Sequence, residues 1–184
     1  MNILLHVCCG PCTVYPYRIL TEEGYSLAGY FHNPNIHPFQ EFKRRLTALE
    51  EFCRQTGFQM AYDRRYGLKE YLREVVFHEE NRCLICYRMR LVATAKVAKE
   101  QRAEAFSSTL LYSRYQKHEA IRRIGEEVAE EEGVPFYYRD FREGWQEGID
   151  GAVAMELYRQ PYCGCIYSEQ ERYDKTTRKQ RVKD

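Results

Sequence analysis

The sequence predicts an α/β fold in which helices cover both faces of a parallel sheet. Short β-prone runs alternate with longer amphipathic segments along the chain, as in strand–helix–strand units. The first run, residues 2–7, is mostly apolar, as expected for a strand buried on both faces. At 184 residues, the chain has the length of one domain. We therefore expect a single three-layer, Rossmann-like domain over residues 1–184, with a basic tail from about Lys175.

The elements of this domain are placed by hydrophobic periodicity and by the residues that interrupt it. Strands are predicted over residues 2–7, 26–32, 58–62, 105–111 and 135–138. Helices are predicted over residues 13–23, 39–56, 67–77, 81–102, 117–132 and 152–158. Asn81 is expected to cap the fourth helix. Three glycines predict a flexible stretch: Gly144, Gly148 and Gly151.

Composition narrows the classes of function. Lys and Arg number 28 against 27 Asp and Glu, so the net charge of +1 predicts no global attraction to nucleic acid, although a local basic patch is compatible with it. No run reaches the ~20 apolar residues of a membrane span, and residues 1–7 lack a signal-peptide pattern. We expect a cytoplasmic protein without membrane contact, in which eight cysteines indicate metal or redox chemistry.

Seven of the eight cysteines fall into three groups. The first group, within residues 8–12, directly follows the first predicted strand, and the others are the pairs at 83/86 and 163/165. Residues that follow a strand of a parallel sheet lie at its carboxyl edge, where α/β proteins bind ligands. We expect the fold to bring all three groups to that edge. The eighth cysteine, Cys53, shares the apolar face of a helix and is expected in the core.

The spacing of these cysteines leaves several kinds of site open. Cys83 and Cys86 form a C-x-x-C pair, which suits zinc, iron–sulfur or redox use. The adjacent Cys8 and Cys9 differ from the spaced pairs of zinc knuckles, so we favour an iron–sulfur cluster over zinc. Gly164 lets the thiols on either side approach each other. Cys163 and Cys165 then form either a strained, easily reduced disulfide or a pair of metal ligands.

Other polar residues near this edge are less specific. Cys12 is either a ligand of a second metal or inert. His6 lies within a strand and is expected to be a hydrogen-bonded core histidine. Asn33, His37 and Arg82 lie on predicted loops and are candidates for substrate contacts, with ordinary loop capping as the alternative. Four arginines lie either on solvated helix faces or in a phosphate-binding patch: Arg88, Arg90, Arg122 and Arg123.

Four motifs occur in order along nearly the whole chain. They are His6-Val7-Cys8-Cys9-Gly10-Pro11-Cys12, Asn33-Pro34-Asn35-Ile36-His37-Pro38, Arg82-Cys83-Leu84-Ile85-Cys86-Tyr87 and Tyr158-Arg159-Gln160-Pro161-Tyr162-Cys163-Gly164-Cys165. As a set they are specific, and the sequence resembles the cobalamin-independent epoxyqueuosine reductases of the QueH type.

The resemblance implies an adenine nucleotide alpha-hydrolase-like fold and removal of the epoxide oxygen from the modified wobble base of a tRNA, with two electrons and two protons. It implies a [4Fe-4S] cluster, alone or with an adjacent mononuclear iron. Cys163 and Cys165 would be the redox-active pair. The implied partners are a tRNA with a queuosine-type anticodon and an electron donor such as a ferredoxin or flavodoxin. By motif, the cluster ligands would be Cys8, Cys9, Cys83 and Cys86.

Two other functions remain open on the residues alone. A tRNA-thiolating enzyme of the ATP-pyrophosphatase type would share the sheet topology. Such enzymes carry a Ser/Gly-rich phosphate loop after the first strand, where this chain has two cysteines. The other alternative is a zinc-stabilised RNA-binding module without catalytic activity. Metal analysis separates that module from a reductase, because an iron–sulfur cluster absorbs visible light and zinc does not.

Overall fold

The structure, a computed structural model that describes residues 1–176, contains a four-stranded sheet surrounded by helices. The strand order is β3-β2-β1-β4 and every pairing is parallel, so the predicted α/β class is confirmed. The strands are β1 Asn2–His6, β2 Ser26–Phe31, β3 Met60–Tyr62 and β4 Ala105–Ser108. The helices are α1 Gly10–Glu22, α2 Phe39–Thr56, α3 Leu68–Val75, α4 Arg82–Glu100, α5 His118–Glu132, α6 Trp145–Ala154 and α7 Ile166–Tyr173.

Both faces of the sheet are covered, because successive side chains of a strand point to opposite faces. Leu4 and Phe106 pack with residues of α4 and α5 in one core. Leu5 and Phe31 pack with residues of α2 in a second core. Side chains of α1 contribute to both cores. This arrangement confirms the predicted three layers. The predicted basic tail falls mostly on residues 177–184, outside the described residues.

Some predicted boundaries are wrong, and each has a local cause. Helix α1 begins at Gly10 rather than at residue 13, because proline is compatible with the first positions of a helix. Asn81 precedes α4 but makes no side-chain capping hydrogen bond. The strand predicted over 105–111 ends at Ser108, whose hydroxyl accepts a hydrogen bond from the amide of Leu110. That bond starts a 3-10 turn, Thr109–Tyr112.

The predicted flexible stretch is instead ordered structure, made of a 3-10 turn, Phe141–Gly144, and α6. Its glycines permit close packing rather than movement. A Cβ added to Gly144 would lie 2.0 Å from the ring of Tyr15, and one added to Gly148 would lie 2.2 Å from the hydroxyl of Tyr112. Helix α6 also packs against α1, where a Cβ added to Gly151 would lie 2.7 Å from Val14. The helix ends at residue 154, so the helix predicted over 152–158 is wrong in extent.

The strand predicted over residues 135–138 is also wrong in extent. It is reduced to one parallel bridge between Phe106 and Phe136, and Pro135 has no N–H with which to extend the ladder. None of the helices within residues 1–176 combines the length and hydropathy that crossing a membrane requires.

Candidate metal and redox centre

The centre is built where β1 and β4 end. β1 lies between β2 and β4, so the chain turns to opposite sides of the sheet after these two strands and leaves a crevice at their carboxyl ends. Cys8 follows β1 and Thr109 follows β4. The backbone amide of Cys8 donates to Thr109 Oγ1 at 3.1 Å, and this hydroxyl lies 3.4 Å from Cys8 Sγ. The first cysteine group is therefore at the position where α/β sheets bind ligands.

Three sulfur atoms meet in this crevice. The Sγ atoms of Cys8, Cys9 and Cys12 lie within 4.8 Å of one another. Hydrogen bonds from the Cys12 and Cys9 thiols hold the pKa of Cys8 well below its ordinary value, whereas donating to Cys8 raises the pKa of Cys12. Within residues 1–176, no other three His, Cys, Asp or Glu side chains converge in this way. The group could hold a metal.

The buried guanidinium of Arg90 connects the three cysteine groups. It is 2% exposed, and its charge interacts with the sulfurs of Cys86, Cys163 and Cys8. Nε donates to the carbonyl oxygen of Cys86 at 3.3 Å, and Nη1 donates to Asn33 Oδ1 at 3.4 Å. In the described part of the chain, Nη2 has no hydrogen-bond partner. A buried cation needs a counter-charge, and the sulfurs around it are the groups that can supply one.

These donors fit the anionic metal cluster that the sequence implies. The charge of Arg82 interacts with the sulfurs of Cys83 and Cys165, and its Nε, like Nη2 of Arg90, is buried without a partner among residues 1–176. Gln160 Nε2 donates to Cys12 Sγ at 3.3 Å. An iron–sulfur cluster with thiolate ligands is negatively charged and accepts N–H hydrogen bonds at sulfur. Unpartnered cationic donors beside free thiols match that charge.

Cys83 and Cys86 lie in the first turns of α4. Cys86 is buried, which raises the pKa of its thiol to about 12, and it packs in a small cluster with Tyr71, Val75 and Cys165. Cys83 is half-buried against the larger core. The structure thus gathers Cys86 near the C-x-C pair and does not place either α4 cysteine within the three-sulfur group of the crevice.

The C-x-C pair lies on a loop that is fixed by one buried arginine. Arg45 of α2 is 1% exposed and forms an ion pair with Glu41, with Nε 2.7 Å from Oε1. Its Nη1 and Nη2 donate to the carbonyl oxygens of Cys163 and Tyr162 at 2.6 and 2.8 Å. The apolar face of α2 therefore carries one cation that holds the backbone of the C-x-C loop.

Gly164 can adopt this loop conformation where other residues would be strained. Its φ is +150°, and an added Cβ would lie 3.0 Å from Asn35 Nδ2. Its carbonyl oxygen accepts a hydrogen bond from the amide of His37 at 2.8 Å. The two flanking thiols face different surroundings, because Cys163 is exposed whereas Cys165 is buried at the start of α7. All eight cysteines, each within the described residues, are free thiols.

Residues 3–171, which include all three cysteine groups, match the model of the family described as epoxyqueuosine reductase QueH. The chain belongs to the QueH family. The relative from Dehalococcoides mccartyi is 40% identical over 174 residues, which are 95% of this chain and 96% of that protein. The relative from Thermotoga maritima is 31% identical over 184 residues, covering 95% and 93%. The relative from Streptococcus pyogenes is 32% identical over 179 residues, covering 91% and 70%.

Membership of the QueH family confirms the resemblance seen in the sequence, and the structure shows where the expected substrate contacts lie. Asn33 is buried, and its Nδ2 donates to the carbonyl oxygen of Val7 at 2.9 Å. His37 is fully buried. Arg82 is the first residue of α4, inside the helix predicted from residue 81 and not on a loop, and it forms an ion pair with Glu171. All three support the centre from within the protein, and their contact with substrate stays a prediction.

Two expectations about core residues are confirmed in this QueH-family structure. His6 is fully buried, with ring nitrogens 2.9 Å from Ser108 Oγ and 3.2 Å from the carbonyl oxygen of His32. Burial lowers its pKa to about 3, so the ring is neutral. Cys53 is half-buried against the second core and accepts a hydrogen bond from the hydroxyl of Tyr62. Neither side chain belongs to the three-sulfur group of the crevice.

Sequence reasoning missed the two buried arginines of the centre. Arg88, Arg122 and Arg123 pair with surface glutamates, as solvated helix faces would. Arg90 is buried, so it belongs neither to a solvated helix face nor to a surface patch that binds phosphate. Arg45 was not singled out at all. Both have the same signal: Arg45 follows Glu41 by four residues on a buried helix face, and Arg90 follows Cys86 by four. A cation in the apolar stripe of a helix indicates a buried counter-charge.

Proposed function

We propose that this chain reduces epoxyqueuosine to queuosine at the wobble position of tRNA. Its QueH relatives are named as epoxyqueuosine reductases. The observation that carries the proposal is the arrangement of three cysteine groups around the charge of Arg90 at the switch point of the sheet. Free thiols and a tRNA substrate both suit the reducing cytoplasm, where we place the activity. Residues 1–184 would form a single cluster-bearing domain.

Four thiols are proposed to hold the cofactor. An iron–sulfur cluster supplies single electrons when it is bound. Cys12 lies inside the three-sulfur group, so we propose that it binds metal, an adjacent mononuclear iron, rather than being inert. The proposed cluster ligands are Cys8, Cys9, Cys83 and Cys86.

The reducing step is assigned to the thiols of Cys163 and Cys165. Their oxidation to a disulfide releases two electrons and two protons. The epoxide consumes the two electrons and the two protons: its two C–O bonds break, a C=C bond forms between the two carbons, and the oxygen leaves as water. The disulfide returns to two thiols when a donor protein such as a ferredoxin or flavodoxin supplies two electrons and solvent supplies two protons.

The described contacts suit this division of work. Cys163 is exposed, so its sulfur can reach a large substrate, whereas Cys165 is buried and can close the disulfide behind it. Arg45 holds the carbonyl oxygen of Cys163, which fixes the loop while the sulfurs change their bonding. Gly164 has no side chain that would separate the two thiols.

Membership of a reductase family sets aside the two alternative functions. A tRNA-thiolating enzyme needs a phosphate loop after β1, where the helix that follows here begins with Gly10 and Pro11 behind two cysteines. A zinc-stabilised binding module needs no redox pair. Metal analysis after anaerobic purification tests the second point directly, because the proposal requires iron and sulfide and not zinc.

The deciding experiment compares iron content with turnover in single-cysteine variants. Cys165→Ser should keep iron and sulfide near the wild-type level and abolish turnover, since it removes the disulfide and no proposed ligand. Cys83→Ser and Cys12→Ser should lower bound iron. Cys53→Ala is the matched control and should keep both properties, because Cys53 lies outside the centre. Iron lost in step with activity in Cys165→Ser would make this cysteine a metal ligand.

A further inference from the structure

The exposed thiol of the redox pair is bordered by a short loop with exposed polar and aromatic side chains. Residues 113–117 connect the 3-10 turn after β4 to α5. Gln116 of this loop donates from Nε2 to Cys163 Sγ at 3.1 Å, and its Oε1 accepts from the hydroxyl of Tyr87 at 2.8 Å. The loop is thereby anchored to α4 and lies directly beside the sulfur. A substrate that reaches Cys163 therefore comes close to this loop.

An aromatic ring on this loop is held in place but left open to solvent. Tyr115 is 85% exposed, and its ring contacts that of Trp145 edge-to-face, with centroids 5.6 Å apart. Trp145 in turn stacks on the buried Tyr112 at 5.1 Å, and the Tyr112 hydroxyl donates to the carbonyl oxygen of Trp145. The exposed ring thus has a fixed base, and its open face is available for stacking.

The same surface carries positive charge that the protein does not neutralise. Arg114 lies over the ring of Trp145, with Cζ 5.8 Å from the centroid. Its Nη2 donates to the carbonyl oxygen of Arg142 at 3.4 Å, and among the ion pairs of residues 1–176 it has no carboxylate partner. The nearby acids are already paired, since three other arginines bind them: Arg18 with Glu147, Arg139 with Glu143, and Arg142 with Asp140.

We propose that Arg114, Tyr115 and Trp145 form a stacking platform for the anticodon-loop nucleotides that flank the base reduced at Cys163. The proposal rests on the proposed function and names the surface that reads its RNA. Single-stranded nucleic acid is bound by exposed aromatic rings combined with cations, because every base has a face that can stack. A protein electron donor would use the charges but would not require the stacked ring.

The test measures the dissociation constant of a synthetic anticodon stem-loop RNA on the iron-loaded protein. Tyr115→Ala should weaken binding roughly tenfold, the loss of one stacked base, while Tyr115→Phe should restore the affinity because it keeps the ring. Arg114→Gln should reduce the log–log salt dependence of binding by about one unit. Arg102→Gln is the matched charge control. It is exposed just before β4, at the opposite end of the sheet.

Turnover with a chemical reductant separates this proposal from the function on which it rests. If the wild type never reduces the epoxide but Tyr115→Ala still weakens RNA binding, the proposed function fails and the platform stands. If the wild type is active and Tyr115→Ala binds the stem-loop as tightly as the wild type does, the platform proposal is wrong. A defect that appears only when a protein supplies the electrons, with RNA affinity unchanged, would overturn it in favour of a donor-docking surface. Iron content near wild type serves as the folding check.

Discussion

The guanidinium of Arg45 on α2 donates from Nη1 to the backbone carbonyl oxygen of Cys163 at 2.6 Å, across 118 residues of sequence. Together with the ion pair of Arg45 to Glu41, this contact connects the C-x-C loop to helix α2, whose apolar residues form part of the second core. The hydroxyl of Tyr158 also donates to Glu41, at 2.6 Å. The buried ion pair of Arg45 and Glu41 therefore fixes the loop that carries the two thiols.

We predict that Arg45→Lys destabilises the protein, because an ammonium cannot keep the bond to Glu41 together with both carbonyl contacts. Breaking a buried pair of this kind removes about 3 kcal/mol, which should lower the midpoint of thermal unfolding by roughly 5–10 °C. Arg54→Lys is the control on the same helix, since the pair of Arg54 with Glu51 is exposed. Equal thermal midpoints for both variants would show that the contacts of Arg45 with Glu41 and the C-x-C loop contribute nothing to stability.

Gly164→Ala should slow the cycling of the Cys163/Cys165 pair between dithiol and disulfide. The φ of +150° and the approach to Asn35 would strain an alanine by about 1–3 kcal/mol and displace the loop. Thiol titration during oxidation and reduction measures the rate. Gly133→Ala is the matched control: it also has positive φ, +73°, but open space around the Cβ and a position away from the centre. Identical rates for the two variants would contradict the assignment.

If the proposed iron–sulfur cluster is bound beside Arg90, Arg90→Met should lower its reduction potential by an amount on the order of 50 mV. Removing a buried cation disfavours the more negative, reduced form, since net charge and hydrogen bonds to sulfur set the potential. Potentiometry with visible absorbance measures the change, and Arg90→Lys should restore part of it. Arg88→Met is the control on the same helix, because Arg88 is exposed and paired with Glu131. An unchanged potential in Arg90→Met would place the cluster away from this guanidinium.

Gly148→Ala should lower the thermal midpoint, because the added Cβ would lie 2.2 Å from the hydroxyl oxygen of Tyr112 and would force α6 outward. Overpacking of this kind removes about 1–3 kcal/mol of stability. The double variant with Tyr112→Phe should recover part of the loss, since the oxygen is gone while the ring remains. Without any recovery, the destabilisation would have to come from a source other than this contact.

Local pattern predicted the parts of the fold that depend on neighbours in sequence. The run ending at Val7, the amphipathic face of α2 and the glycine after α5 give the expected strand and helices, because periodicity and backbone preference act within a few residues. The sequence also grouped seven cysteines into three motifs, which was enough to indicate metal and redox chemistry and to recognise the family.

Contacts between distant residues decided the rest. Gly148 looked like a flexible position and proved to be a packing position, because its role depends on Tyr112, 36 residues away. Cys12 joined Cys8 and Cys9 only because α1 starts early enough to turn its thiol back toward the strand. Arg90 became the charge shared by all three cysteine groups, which no local pattern records. Spacing along the chain indicates which residues could form a site. Their burial and their counter-charges arise only when the strands and helices pack together.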